Sequence, residues 1–231
     1  MFATKKHRII SIGATALLVS LATAQPTRAD LEVVASIKPI HSLVAGVMEG
    51  DLAPHLIVDG PASPHTFSLR PSSARALEGA DVIFWVGRNL ESFLEKSIET
   101  LGQRATVVEL MDVPGIEPLP FRAGATFEAE DQDEEPDGPD EPDAHNDEDG
   151  FNPHIWLDPI NAQMLVRAIA DALITADPEH APLYAANAQS LHARIAALSA
   201  EIDTILSPVR GRPFFVFHDA YQYMEQRYGL T

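Results

Sequence analysis

The sequence predicts an α/β fold built around parallel β-strands, and two observations support this prediction. Between residues 31 and 110, short apolar runs of strand length alternate with longer segments of helical periodicity, which is the pattern of repeated strand–helix units. In addition, 45% of the 231 residues are apolar, which is enough for a core of ordinary size in one large domain or two modest ones.

The first part of the chain contains four predicted strands and three predicted helices in alternation. The strands are the apolar runs 31–37, 55–60, 81–87 and 105–110. The helices are 39–48, 70–80 and 90–101. Pro39 and Pro71 lie at the start of the first two helices, where the missing N–H costs no hydrogen bond. One predicted helix lies between each strand and the next. Because such a connection is long enough for a crossover, we expect the strands to be parallel.

The second part of the chain is predicted to be mainly helical. The predicted elements are helices over about 160–176 and 179–206, a buried strand over 212–217, and the start of a further helix near residue 219. In the longer helix, apolar residues from Tyr184 to Ile205 are spaced 7, 4, 3, 4 and 3 apart. This pattern fits either a helix that faces the core or a short coiled coil, and a run of only about three heptads favours the core-facing helix.

The N-terminus is typical of a secretory signal peptide. Lys5, Lys6 and Arg8 precede an apolar run over 9–22, and small-residue sites for cleavage follow at 22–24 and 27–29. We therefore assign residues 1–29 to the signal peptide, with cleavage after Ala24 or Ala29. The apolar run is too short for a permanent membrane span. Since no cysteine is present for lipid attachment, we expect an exported protein without a lipid anchor.

The chain is strongly acidic, with a formal net charge of −18. Such a charge repels nucleic acid and anionic lipid and attracts cations, which argues against a nucleic-acid-binding function. Residues 128–149 contain thirteen Asp and Glu residues, three prolines and no large apolar side chain. We expect this segment to be a disordered insertion, either a plain solvated tract or one that collects cations.

Histidine is the residue type most informative about chemistry, because the chain has no cysteine and any transition-metal site must use His, Asp or Glu. Four of the nine histidines are interpreted as solvated or core residues: His41, His55, His180 and His192. His7 is removed with the signal peptide, and His145, alone in the acidic segment, would bind a metal only weakly. The other three differ in their setting. His65 lies between a turn and a helix, His154 follows Asn-Pro, and His218 ends the predicted strand 212–217.

Three loops at the carboxyl ends of strands could bring these three imidazoles to one zinc ion, because open α/β sheets bind ligands at that edge. The gaps of 89 and 64 residues between them are too long for a local motif. Spacing alone therefore leaves open whether the three histidines meet.

Five segments resemble the ZnuA-type zinc-binding solute-binding proteins of ABC transporters, the metal-binding cluster A-I family. They are VASIKPIHSLV, PASPHTFSLRPS, ADVIFWVG, FNPHIWLDP and FFVFHDAYQYMEQRYGLT. The resemblance implies a two-lobed α/β solute-binding protein with parallel sheets and a long joining helix. Such a protein captures zinc in the periplasm and delivers it to a membrane permease with a cytoplasmic ATPase. It also implies that zinc is transported cargo, that the protein is not an enzyme, and that it is a monomer.

Carried onto this sequence, the resemblance assigns the metal ligands to His65, His154 and His218. It implies an N-terminal α/β lobe over 30–178 that contains the acidic insertion, and a joining helix over 179–207. Residues 208–231 then begin a C-terminal lobe that is incomplete in this sequence.

Two alternatives remain at this stage. One is a manganese-binding relative of the same fold, although those relatives generally have a glutamate at the position of His218, and three imidazoles favour zinc. The other is an exported zinc-dependent hydrolase, because an open three-histidine site is also how hydrolytic zinc is held. A hydrolase needs a general base near the metal, and Asp158 and Asp219 are the nearest carboxylates in sequence.

Overall fold

A computed structural model describes most of the chain after the predicted signal peptide. The described residues are 31–50, 53–61, 63–122, 150–216 and 218–230. The predicted signal peptide (1–29) and acidic insertion (128–149) lie outside these ranges and stay predictions. Within the described ranges, no helix is both long enough and apolar enough to cross a bilayer.

The described strands form one parallel sheet, as predicted. They are β1 (Val33–Ala35), β2 (His55–Leu56), β3 (Val82–Trp85) and β4 (Thr106–Glu109), arranged in the order β2-β1-β3-β4. The register pairs Val34 with His55 on one side of β1 and with Ile83 on the other. The chain adds β2 on one side of β1 and then adds β3 and β4 on the other side. With right-handed connections, this reversal places helices on both faces of the sheet. The α/β prediction is confirmed.

Six α-helices accompany the sheet in the described ranges. They are α1 (Lys38–Val47), α2 (Pro71–Gly79), α3 (Ser92–Leu101), α4 (Pro159–Ala176), α5 (Ala181–Leu206) and α6 (Gln222–Tyr228). The first five agree with the predicted helices to within two residues at each end. Helices α1 and α4 pack against each other and α5 packs across both, while α2 and α3 contact one another. The core lies between these layers and includes the fully buried Ile40, Phe84 and Leu165.

The prediction of a buried strand over 212–217 is wrong. Residues 212–216 have no regular secondary structure, and Phe215 is fully exposed while Phe214 is 42% exposed. An apolar run becomes a buried strand only when a neighbouring strand supplies hydrogen bonds and an apolar layer covers it. Within the described residues, no strand lies beside this segment.

Helix α5 faces the core along only part of its length. Tyr184 and Ile195 are buried, whereas Leu198 and Ile205, which continue the same apolar spacing, are 51% and 64% exposed. The interpretation as a core-facing helix therefore holds for α5 as far as Ile195, and α5 packs on α1 and α4. Beyond Ile195, Leu198 and Ile205 continue the apolar spacing but are exposed.

A buried carboxyl group holds the carboxyl ends of β1 and β3 together. The side chain of Glu91, which is completely buried, accepts hydrogen bonds from the main-chain N–H groups of Val86 (3.1 Å) and Gly87 (3.0 Å). It also accepts a 2.5 Å hydrogen bond from the hydroxyl of Ser36, the residue after β1. Burial raises the pKa of Glu91 to about 7, and the hydrogen bonds oppose this rise only in part.

Helix α6 is held against the loop that precedes α4. Arg227 donates two hydrogen bonds to the carboxylate of Asp158, at 2.8 and 2.6 Å. The hydroxyl of Tyr223 donates to the carbonyl of Asn152 (2.8 Å) and accepts from the N–H of Leu119 (3.0 Å). The contacts join residues far apart in sequence and fix α6 next to residues 152–158.

The first prediction concerns Glu91 and the pH dependence of stability. Because its folded pKa is raised, the folded state holds the proton more tightly, so stability is lost as pH rises from 4.5 through 7. We expect the wild type to lose about 2–3 kcal/mol of unfolding free energy between pH 5 and pH 8 through this group. Glu91→Gln should remove that loss in urea unfolding at the two pH values.

The matched control is Glu99→Gln, at an exposed position of α3, the helix that directly follows Glu91. It should leave the pH dependence of the wild type unchanged. An equal loss of stability between pH 5 and pH 8 in Glu91→Gln and in the wild type would show that Glu91 does not titrate in this range.

The second prediction concerns the docking of α6. Arg227→Met keeps the aliphatic stem but removes the paired hydrogen bonds to Asp158. Because the arginine side chain is 40% exposed, we expect a loss of at most about 1 kcal/mol, or up to about fivefold faster amide hydrogen exchange in α6. Arg194→Met, at an exposed position of α5, is the control. Equal α6 exchange rates in both variants would contradict a docking role for Arg227.

Candidate metal centre

The structure brings His65, His154 and His218 together at one point. Their ring centroids lie 5.8 Å (His65–His154), 5.4 Å (His65–His218) and 4.9 Å (His154–His218) apart. The Nε2 atoms of His154 and His218 are 3.1 Å apart. Among the described residues these three form a cluster suited to a metal ion, with one potential ligand atom of each lying within 4.8 Å of the others.

Each histidine is delivered by a different segment near the carboxyl ends of β1 and β2. His65 lies in the turn that follows β2 and precedes α2, as the sequence predicts. His154 lies at the start of the short 3-10 turn Ile155–Leu157, directly before α4. His218 lies four residues before α6, after an extended segment rather than at the end of a strand.

Asp158 fixes the start of α4 and therefore the position of the loop that carries His154. Its carboxylate accepts a hydrogen bond from the N–H of Ile160 (2.9 Å) and caps the helix, while Pro159 occupies the first helical position. The same carboxylate receives Arg227 from α6. One side chain thus links the His154 loop to the helix that follows His218.

The spacing of the nitrogens is close to that of a tetrahedral zinc site. Zinc–nitrogen bonds of about 2.0–2.1 Å place two ligand nitrogens about 3.3 Å apart in tetrahedral geometry. The 3.1 Å separation between the Nε2 atoms of His154 and His218 is near this value. A small rotation of the rings would therefore let both nitrogens bind one ion.

The cluster consists of imidazole nitrogen donors in a partly buried setting. His154 is only 7% exposed, whereas His65 and His218 are half-buried. Burial, together with the positive charges that His218 and His65 can carry, lowers the pKa of His154 to about 3. His154 therefore stays neutral at physiological pH, which is the form that binds a metal.

The three histidines line one side of a cavity of about 490 Å³. Its other walls are mainly apolar and include Ile37, Val58, Trp156 and Tyr221. Trp156 meets the His154 ring edge-on, with 5.3 Å between centroids. Lys38 also lines the cavity, and its ammonium group donates a 2.6 Å hydrogen bond to the carbonyl of Gly60.

The other described histidines do not join the cluster. His41 contacts the carbonyl of Pro54 at 3.0 Å through Nε2, and His180 contacts Asp177 at 2.6 Å through Nδ1. His55 lies exposed on the edge strand β2. His7 and His145 lie outside the described residues.

Sequence reasoning missed the residues that support the cluster, chiefly Asn152, Gln222 and Arg227. A local signal did exist for Asn152, because Asn-Pro favours a turn in which the Asn side chain accepts from the N–H two residues on. The contacts of Gln222 and Arg227 join segments about 70 residues apart, for which the sequence carries no local signal.

Comparison with protein families gives one match across nearly all of the described chain. The family model described as "Zinc-uptake complex component A periplasmic" (ZnuA) matches residues 33–231. The chain is 48% identical over 216 residues to the high-affinity zinc uptake system protein ZnuA of Brucella abortus (strain 2308), covering 86% of this chain and 65% of the relative. It is 40% identical to the protein of the same name from Paracoccus denitrificans (strain Pd 1222), covering 93% of this chain and 69% of the relative.

The fold also matches solved structures. The periplasmic zinc binding protein TroA from Treponema pallidum superposes with a TM-score of 0.72 at 20% identity, covering 87% of this chain and 65% of that protein. This likeness establishes the α/β solute-binding-protein fold, of which the present chain spans about two thirds. From the family match and the identities to its members, the chain belongs to the ZnuA family, the component A proteins of zinc-uptake complexes.

Proposed function

We propose that this chain binds zinc through His65, His154 and His218 and delivers it to an ABC permease for uptake. The observation that carries the proposal is the convergence of three imidazoles from three separate segments, with 3.1 Å between two of the Nε2 atoms. The relatives named as high-affinity zinc uptake proteins support the same function. In this role zinc is the cargo of the protein.

The donor set favours zinc over manganese. All three members of the cluster are histidines, whose nitrogens suit zinc, whereas manganese prefers carboxylate, carbonyl and water oxygens. The order of divalent-metal affinity for such sites also puts zinc well above manganese.

The surroundings of the cluster favour binding over catalysis. Asp158 is occupied by the N–H of Ile160 and by Arg227. Asp219 lies 3.6 Å from Arg122, which also pairs with Glu225. Both carboxylates considered as a general base therefore already face arginines, and neither is held as a free base beside the cluster.

The same proposal places the protein in the periplasm as a monomer whose partners are the membrane permease and its ATPase. The family description and the predicted signal peptide over 1–29 support the location. In this arrangement residues 30–178 form the N-terminal lobe and 208–231 belong to the second lobe. The joining helix, expected over 179–207, corresponds to the 26 residues of α5, which extend about 39 Å.

The third prediction tests the ligands. His65→Ala, His154→Ala and His218→Ala should each weaken zinc binding at least about 100-fold, because each removes one of three nitrogen donors. The measurement is a zinc titration of the purified chain against a competing chelator, which reports stoichiometry and affinity together. We expect one tight zinc per wild-type chain.

His55→Ala is the matched control, because His55 is exposed on β2 and lies in the same lobe. It should bind zinc as the wild type does. Wild-type affinity in any of the three ligand variants would rule out that residue as a ligand. Zinc-dependent turnover of ester substrates by the wild type would favour the hydrolase alternative.

The fourth prediction concerns the acidic insertion. The N–H of Phe121 donates to the carbonyl of Gly150 (3.3 Å), so the chain enters and leaves this segment at nearly the same point. Deleting 128–149 should therefore leave one tight zinc per chain. At low salt the association rate should fall, because thirteen acidic residues that attract cations are removed.

The control for this effect is ionic strength. At about 0.5 M salt the association rates of the deletion variant and the wild type should converge, since screening removes the long-range attraction. Loss of the tight zinc upon deletion would show instead that the insertion supplies part of the site.

A further inference from the structure

A buried asparagine contacts the most buried histidine of the cluster. Asn152 is 2% exposed and precedes His154 by two residues. Its Oδ1 accepts the main-chain N–H of His154 (3.0 Å) and lies 2.8 Å from Nδ1 of the same ring. One side-chain oxygen therefore contacts both the backbone and the imidazole of His154.

This double contact determines which ring nitrogen carries the proton. A main-chain N–H can only donate, so the amide atom facing it must be the oxygen, and an amide oxygen can only accept. Nδ1 of His154 must then donate, which leaves the lone pair on Nε2. Nε2 is the atom that lies 3.1 Å from Nε2 of His218, on the side of the ring that faces the cluster.

A second amide fixes the orientation of the first. Nδ2 of Asn152 donates to Oε1 of Gln222 (3.0 Å), and Nε2 of Gln222 donates to the carbonyl of Pro120 (3.1 Å). Because that carbonyl can only accept, every hydrogen bond of the chain is donated in one direction, from His154 to Asn152, then to Gln222 and finally to Pro120. Gln222 begins α6, so the orientation of His154 depends on the same helix that follows His218.

We propose that Asn152 is a positioning residue, which holds His154 in the Nδ1–H tautomer with Nε2 directed at the metal, and that Gln222 keeps the Asn152 amide in the orientation that does so. This inference rests on the proposed zinc-binding function. Metal-bound histidines usually donate the other ring N–H to a second group, and loss of that group typically costs 10- to 100-fold in metal affinity. An uncharged amide in this role orients the ring without adding negative charge to the site.

The experiment combines the tautomer of His154 with zinc affinity in three proteins. Long-range ¹H–¹⁵N NMR of the metal-free chain reports which ring nitrogen of His154 is protonated. The wild type should show the Nδ1–H tautomer. Asn152→Asp retains an acceptor and should keep this tautomer, with zinc affinity within about tenfold of wild type. Asn152→Leu has no acceptor and should lose the preference, with zinc affinity about 10- to 100-fold lower.

The outcomes separate this inference from the proposed function. An Nε2–H tautomer of His154 in the wild type would overturn the role of Asn152, whether or not the leucine variant folds. An unchanged tautomer together with zinc affinity within twofold of wild type in Asn152→Leu would overturn it as well. A wild type that binds no zinc but shows the Nδ1–H tautomer would instead overturn the proposed function, and with it the metal-positioning role.

Discussion

The docking of α6 against residues 152–158 is the contact on which the candidate metal centre depends. His154 and His218 lie 64 residues apart, and in the part of the chain that the structure describes no hydrogen-bonded strand pair holds their segments together. Their rings meet because Arg227 binds Asp158 and because Tyr223 bridges the backbone of Leu119 and Asn152. The contacts of Tyr223 are buried or half-buried and are therefore less screened than surface contacts, whereas the arginine of the Arg227–Asp158 pair is 40% exposed.

Several of these contacts use one group for two purposes. Asp158 caps α4 and pairs with α6, and Asn152 binds both the backbone and the ring of His154. Glu91 likewise binds two segments at once. Its carboxyl group contacts Ser36 after β1 and Val86 after β3, at the carboxyl ends of these strands. Because these groups also hold parts of the fold together, the positions of the three histidines depend on the fold. A ring placed in this way loses little entropy when it binds an ion.

Much of the fold could be predicted from the sequence because its signals are local. The strands around Val34 and Ile83 and the helices α1 to α5 follow from runs and periods only a few residues long. The segment 212–216 was mispredicted for the opposite reason, since burial of Phe215 requires partners that local composition does not specify. The meeting of the three histidines also depends on distant contacts. Spacing left it open, and it was the family resemblance that pointed to it.

The net charge of the chain and the three histidines of the cluster have different effects on a cation: the charge attracts it, and the donor atoms determine which cation is favoured. The chain carries a formal net charge of −18, which draws cations over distances comparable to the screening length. At the cluster itself the donors are imidazole nitrogens, and the carboxylates nearest to His154 and His218 in sequence, Asp158 and Asp219, face arginines. A site lined by free carboxylates would also hold calcium, magnesium and manganese. In the proposed function, imidazole donors inside an acidic protein therefore combine attraction for all cations with binding that favours zinc.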